Sequence, residues 1–249
     1  MYSENNTKTL NNRIWEIDFI RGIALLLMIY YHFIYDLSYF FDLPVSYRTG
    51  INDYIGKASG TLFIIISGIS CRFSRNIIKR SLYVLTAAIS ITVITALVDY
   101  ILKTILNLSI PNVVIKFGIL HFLGISMLLF NLLKKLNVII LMVLSALFIA
   151  LGRIFSEIKV SFDYLFPLGI YSKNFFSSDY YPLIPWLGYF ILGIEIGKII
   201  YKNKKSIFKS DIKDNIINYL GRKTLFIYLI HQPILIIITF TINLIFKFR

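Results

Sequence analysis

The sequence predicts an all-α fold, a polytopic transmembrane helix bundle of about seven spans, and three observations carry that reading. Apolar residues make up 57% of the chain and its mean hydropathy is +0.72. Charged residues are only 16%, where soluble domains hold about 25%. The apolar residues also fall in runs close to the ~20 residues that a helix needs to cross a hydrocarbon core. A net charge of +13 would by itself suggest nucleic acid. The basic residues instead cluster in short loops between apolar runs, the pattern of loops beside anionic lipid. The expected partner is the bilayer, and no nucleic acid.

The elements follow in order. Residues 1–13 are polar and read as a disordered tail. The first span covers about 17–40. It is too long for a signal-peptide core and has no small-residue cleavage site, so it reads as retained. A short loop leads to a second span at about 55–71, whose Ser59, Gly60, Ser67, Gly68 and Ser70 allow close helix approach. A basic turn holding Arg72, Arg75, Lys79 and Arg80 separates it from a third span at about 81–102. Spans four (116–133) and five (136–152) are joined only by a turn around Lys134, Lys135 and Asn137, and so form a hairpin. The stretch within 160–176 is too short to span, and a re-entrant dip is one conformation open to it. Span six covers about 183–200, a basic polar loop runs to Lys223, and span seven covers about 224–246. No repeat or linker divides the chain, so residues 1–249 read as one domain.

Orientation follows from Lys and Arg. With the N-terminus cytoplasmic, 16 of them fall inside and nine outside, the bias that membrane proteins show. The reading is a multi-pass protein of the cell membrane. Its single cysteine, Cys71, excludes an intramolecular disulfide. Richness in Ile, Lys and Asn suggests AT-rich coding and a bacterium.

The first span carries the chemistry. In Ile17–Asp36, IDFIRGIALLLMIYYHFIYD, an arginine, a histidine and two aspartates sit in an apolar helix. An ionised side chain at the centre of a span costs roughly 2.5–3.5 kcal/mol on insertion scales. Eleven residues at about 100° each return to within about 20° of the starting face. Arg21, Leu25, Met28, His32 and Asp36 therefore form one stripe, with Asp18 beside Arg21 at i,i+3. His32 stands roughly 16 Å along the axis from Arg21. Such a stripe must face protein or a wet cavity.

Other polar residues join it in the expected topology. His121 lies at the outer start of span four, His231 with Gln232 and Pro233 lies in span seven, and Asp179 precedes span six on the outer side. Three histidines raise the question of zinc. No HxxxH, HxxE or clustered Cys/His spacing occurs, so no metal is expected. Glycine-rich phosphate loops are absent, and the turn Arg72–Arg80 reads first as a topology signal, with nucleotide phosphate as a second role.

The string IDFIRGIALLLMIYYH, with Arg21 and His32 separated by ten residues after Asp18, resembles the first-helix signature of the acyltransferase-3 group of membrane acyltransferases. Further along, IWEIDFIRGIALLLM, FGILHFLGIS, DYYPLIPWLGYFILGIEIG and GRKTLFIYLIHQP make the chain similar to the bacterial DUF1624 proteins. That group is similar to the catalytic domain of heparan-alpha-glucosaminide N-acetyltransferase. The resemblance implies transfer of an acyl group, usually acetyl from acetyl-CoA, to an extracytoplasmic acceptor such as a saccharide. It implies His32 as general base with Asp36 orienting its ring. Arg21, steadied by Asp18, would hold donor phosphate or carbonyl oxygen, with Arg72 and Arg75 as further donor contacts. His121, Asp179, His231 and Gln232 would bind the acceptor. Relatives with a catalytic histidine in the first non-cytoplasmic loop differ here, because Asp42–Tyr54 holds none. The chain also has fewer spans than such relatives, so a partner subunit or self-association is a route to completing the site. The rival reading is a transporter or lipid-binding protein using the Arg/His/Asp stripe as a proton or anion path.

Overall fold

The computed structural model describes residues 14–40, 43–109, 112–208 and 215–246. The tail 1–13 and Asp42 lie outside these ranges. Among the described residues the fold is all-helical and contains no strand, only two isolated bridges. The helices are α1 (Trp15–Tyr39), α2 (Gly50–Cys71), α3 (Ile77–Tyr100), α4 (Ile119–Leu133), α5 (Val138–Glu157), α6 (Leu183–Ile199), α7 (Ile216–Arg222) and α8 (Thr224–Phe246). A π-helical turn, Ile101–Ile105, extends α3.

Five helical stretches are long and apolar enough to span a bilayer: Trp15–Tyr39, Gly50–Cys71, Ile77–Ile105, Val138–Glu157 and Thr224–Ile245. The expected fourth and sixth spans are real helices but short, 15 residues in α4 and 17 in α6. At about 1.5 Å per residue, α4 reaches only about 22 Å. Residues 160–176 hold one 3-10 turn, Phe166–Leu168, and no longer helix. Helix α7 was not expected from the sequence, where its seven residues sit in a basic polar loop.

Asparagine starts three of these helices. The side chains of Asn76, Asn137 and Asn215 accept from the backbone N–H of Lys79, Ile140 and Asn218, at 3.0, 2.8 and 2.8 Å. Each satisfies one of the orphan donors of a first helical turn.

The chain packs as two compact units. The first holds residues 1–66 and 199–249. In it α1 packs on both α7 and α8. Glycine sets the α1–α7 distance: a Cβ on Gly221 would lie 1.8 Å from the Asp18 carbonyl oxygen, and one on Gly22 would lie 2.2 Å from that of Ile217. The Ser59 hydroxyl of α2 donates to the Ala24 carbonyl at 2.9 Å. At the start of α1, Glu16 accepts from the Ser206 hydroxyl at 2.9 Å and the Ile207 N–H at 2.8 Å, which ties down the chain after α6. Nearby, burial and, secondarily, the Glu16 carboxylate push the Tyr201 phenol up to about 12.

The second unit, residues 67–198, uses the same devices. The Ser81 hydroxyl of α3 donates to Gly124 O of α4 at 2.6 Å, and the Ser145 hydroxyl of α5 donates to Gly188 O of α6 at 3.0 Å. Gly68 abuts the Phe190 carbonyl, so the small residues after Ile66 do admit a close neighbour, as their size suggested. Serine–carbonyl bonds and missing Cβ atoms are how helices associate where lipid supplies no hydrophobic drive. Lipid-type faces are explicit too: α3 exposes Leu82, Tyr83, Ile89, Val93, Ile94 and Leu97.

Candidate active site in the first unit

Helix α1 turns its polar stripe inward. Asp18, Leu25, Met28 and Asp36 are buried, and Arg21 and His32 are half-buried. The stripe carries two groups of polar residues.

The first group lies at the α1–α7 contact. Arg21 pairs with Asp18 at 2.8 Å and donates to the Gly221 carbonyl at 3.4 Å. The carbonyl is within reach because glycine at 22 and 221 lets the helices touch backbone to backbone.

The second group joins α1 to α8. The rings of His32 and His231 meet edge to face with centroids 4.9 Å apart. His32 Nδ1 donates to the Met28 carbonyl at 2.9 Å, and His231 Nδ1 donates to the Tyr228 carbonyl at 2.6 Å. A carbonyl oxygen only accepts, so each Nδ1 must carry hydrogen. In the neutral ring the basic lone pair is then on Nε2. Two imidazoles thus share a site, each held in the same tautomer by its own helix backbone. Helix α8 contains Pro233, which lacks an N–H and so cannot donate to the carbonyl one turn earlier.

The sequence reading made Asp36 the group that orients His32. In the structure the Met28 carbonyl holds the His32 Nδ1, and Asp36 Oδ1 accepts from Gln232 Nε2 at 2.6 Å. The i−4 carbonyl is nearer to an imidazole on the same helix than a carboxylate one turn ahead, and it wins the donor. Asp36 is fully buried. Asp36 Oδ2, Gln232 Oε1 and His231 Nε2 have no hydrogen-bond partner among the described residues. Three buried acceptors from adjoining side chains make this a place suited to a donor-bearing group, since an unsatisfied buried polar atom costs about 1–3 kcal/mol.

Aromatic rings that the polar pattern did not flag border His32. Tyr31 stands edge-on to it with centroids 5.8 Å apart, and Tyr47 contacts both Tyr31 and Tyr35. The i,i+4 spacing of Tyr31, Tyr35 and Tyr39 beside His32 was the available signal.

The remaining expected residues belong to the second unit. His121 Nδ1 accepts from the Gly118 N–H at 3.3 Å, and its Nε2 lies 3.2 Å from Thr92 Oγ1. The Thr92 hydroxyl donates to Ile115 O at 2.7 Å, so His121 Nε2–H is the donor to Thr92. Both ring nitrogens are therefore used at the start of α4. Asp179 Oδ2 accepts from the Ile119 N–H at 2.9 Å at that same helix end. Around it the chain is cross-tied: Tyr181 N–H donates to Phe117 O at 2.9 Å, and the Tyr180 hydroxyl donates to Phe166 O at 2.6 Å. Burial, with Tyr171 second, raises the Tyr180 phenol above its ordinary value. Arg72 is half-buried and Arg75 exposed, in the turn between α2 and α3. No group of three or more potential metal-ligating side chains occurs among the described residues.

Neither the comparison with curated proteins nor that with solved structures returns a match. The protein-family comparison does, and it covers most of the chain. Residues 13–233 match the model of the family "Heparan-alpha-glucosaminide N-acetyltransferase, catalytic". The matched range takes in both units and ends just after His231 and Gln232. A bilayer-spanning helical bundle with two facing imidazoles, matched over this length, belongs to that family, and the chain is a membrane protein of acetyltransferase type.

Proposed function

We propose that the chain is one catalytic domain that moves an acetyl group from cytoplasmic acetyl-CoA to an extracytoplasmic acceptor. The observation that carries this reading is the His32–His231 pair, whose Nδ1 atoms are both occupied by backbone carbonyls, leaving Nε2 as the basic atom of each ring. The family's name points to a glucosaminide as the acceptor class, and an amine or hydroxyl of such a sugar is the nucleophile.

In the proposed step, Nε2 of His32 takes the proton of the acceptor N–H or O–H as its lone pair attacks the thioester carbonyl carbon. The tetrahedral intermediate collapses, the C–S bond breaks, and the imidazolium returns the proton to the departing thiolate. General base catalysis of this kind contributes about 10²–10⁴ in rate. His231 and Gln232 line the acceptor side, with the Asp36 carboxylate nearby to favour the imidazolium. Arg21, set by Asp18 and the Gly221 carbonyl, faces the donor. His121 and Asp179 are assigned to holding the start of α4, because their hydrogen bonds are spent there. The cytoplasmic N-terminus rests on the Lys/Arg bias, and the plasma membrane is the proposed location.

The test is release of free thiol from acetyl-CoA by purified protein in nanodiscs, with and without an amino sugar. Acceptor-dependent thiol release that His32→Ala abolishes supports the proposal. No release with any amine or hydroxyl acceptor, together with proton-coupled uptake in vesicles, would instead favour the transport reading.

A further inference from the structure

Residues 199–226 of the first unit concentrate positive charge that the proposed reaction does not use. The stretches 199–208 and 215–226 hold Lys202, Lys204, Lys205, Arg222 and Lys223 and no Asp or Glu, while 209–214 contribute two lysines against two aspartates. Both described stretches are fastened to the first turn of α1. On one side the buried Glu16 carboxylate accepts from Ser206 and Ile207, and Phe208 packs on Trp15 with ring centroids 5.7 Å apart. On the other, the Asp18 carbonyl meets Gly221 of α7. The basic turn and helix α7 are thus held at the same end of α1.

Helix α7 has two unlike faces. Asn218 and Gly221, three residues apart, are buried on the side that packs on α1. Ile216 and Tyr219, also three apart, are 75% and 53% exposed. Seven steps of about 100° bring the exposed Lys223 back to within about 20° of Ile216. The Arg222 guanidinium lies 5.9 Å from the Tyr219 ring. The exposed face is therefore apolar and aromatic, and basic at its end. Helix α8, long and apolar enough to cross the bilayer, begins at Thr224, directly after Lys223. This face consequently lies at the edge of the hydrocarbon core. Tyrosine favours that headgroup level, and each Lys or Arg beside an anionic membrane surface raises affinity about fivefold.

We propose that Lys204, Lys205 and Lys223, together with the Ile216–Tyr219 face, dock on the headgroups of anionic phospholipids, and that this contact seats α7 on α1. The lysines take the lipid phosphates, and Ile216 and Tyr219 enter the headgroup layer. The Gly221 carbonyl accepts from Arg21 at 3.4 Å, so lipid that holds α7 in place also holds a group that sets Arg21. Neither contact depends on acetyl transfer.

Amide exchange of residues 216–222 in the full chain tests the docking, in phosphatidylcholine nanodiscs with and without phosphatidylglycerol. A lipid that binds only the seated helix raises its protection. Phosphatidylglycerol should slow exchange of the wild-type protein by about fivefold or more, and high salt should remove the slowing. Combined Lys204→Gln, Lys205→Gln and Lys223→Gln substitution should abolish the effect, and with it the phosphatidylglycerol retained in native mass spectrometry. Arginine at the same three positions should keep both, and unchanged protection of α5 and α8 shows that the variants are folded. Equal wild-type exchange in the two membranes overturns the docking, as does slowing that persists in the glutamine variant. Slowing by inorganic phosphate or CoA in phosphatidylcholine alone would assign the lysines to a soluble anion and overturn the lipid as occupant.

Discussion

At the scale of single residues, His32 and Asp36, joined in the sequence reading, take different hydrogen-bond partners. His32→Ala should lower turnover by about 10²–10⁴, with CoA affinity retained. A loss of CoA binding equal to the loss of rate would show that the stripe acts only as a structural network. Asp36 has a different test, because Gln232 is its hydrogen-bond partner. Hydrogen bonds to charged groups contribute about 1.5–3 kcal/mol. Gln232→Leu should therefore destabilise the wild-type protein by roughly that amount, and much less in an Asp36→Leu background. A thermal-denaturation cycle in detergent measures the difference, and additive losses would refute the pairing. The sequence made Asp18, Arg21, His32 and Asp36 legible as one stripe because helical geometry fixes which positions share a face. It left the Asp36–Gln232 bond unread, since that depends on how α8 is rotated against α1.

At the scale of elements, contact between helices is set by what is missing from the side chains. Gly221 meets the Asp18 carbonyl closely enough that any Cβ collides with backbone. Gly221→Ala should push α7 off α1 and cost about 1–3 kcal/mol, lengthening the Arg21 contact with the 221 carbonyl. A stability unchanged within error would mean that α7 is not held by this contact. The segment after α5 offers a second test. The Ser172 N–H donates to Asp163 Oδ1 at 2.8 Å, and this bond is the main reason the Asp163 carboxyl lies below its ordinary 3.8. A carboxylate with a lowered folded value gives its full stabilisation above 3.8 and loses it as pH falls through the lowered value. The protection of the Ser172 amide, after division by its intrinsic exchange rate, should thus be lost only below 3.8, and Asp163→Asn should remove that dependence. Sequence periodicity located α1, α5 and α8 within a few residues, because a bilayer demands long apolar runs. It passed over α7, whose seven residues are too few to show a period and whose helix is fixed by packing on Gly22.

At the scale of the whole molecule, the distribution of Lys and Arg predicts that residues 201–223 are cytoplasmic. In a Cys71→Ser background, cysteines placed at 204 and 219 should resist a membrane-impermeant maleimide in intact cells and react after permeabilisation. Efficient labelling in intact cells would reverse the orientation and put Arg21 on the acceptor side. The all-helical membrane class was legible from composition because no soluble core explains 57% apolar residues. The number of helices long enough to cross was harder to read. Windows of hydropathy measure an apolar run, and both α4 and α6 have one; α4 begins late, at Ile119 behind Gly118 and the His121 bond, while α6 keeps its expected bounds and is short at 17 residues.

The two imidazoles are aligned by main-chain carbonyls, and this has a consequence for how the family can vary. A carboxylate that orients a catalytic ring can be lost by one substitution and leaves a trace in the sequence. The carbonyls of Met28 and Tyr228 persist whatever side chains those positions bear, so long as the helices themselves are kept. Searches for a His–Asp pair would therefore miss such a site in distant homologues. Drift at 28 and 228 should be tolerated where drift at 32 is not, and replacing Tyr228 by phenylalanine should leave the ¹⁵N signature of an Nδ1-protonated His231 unaltered.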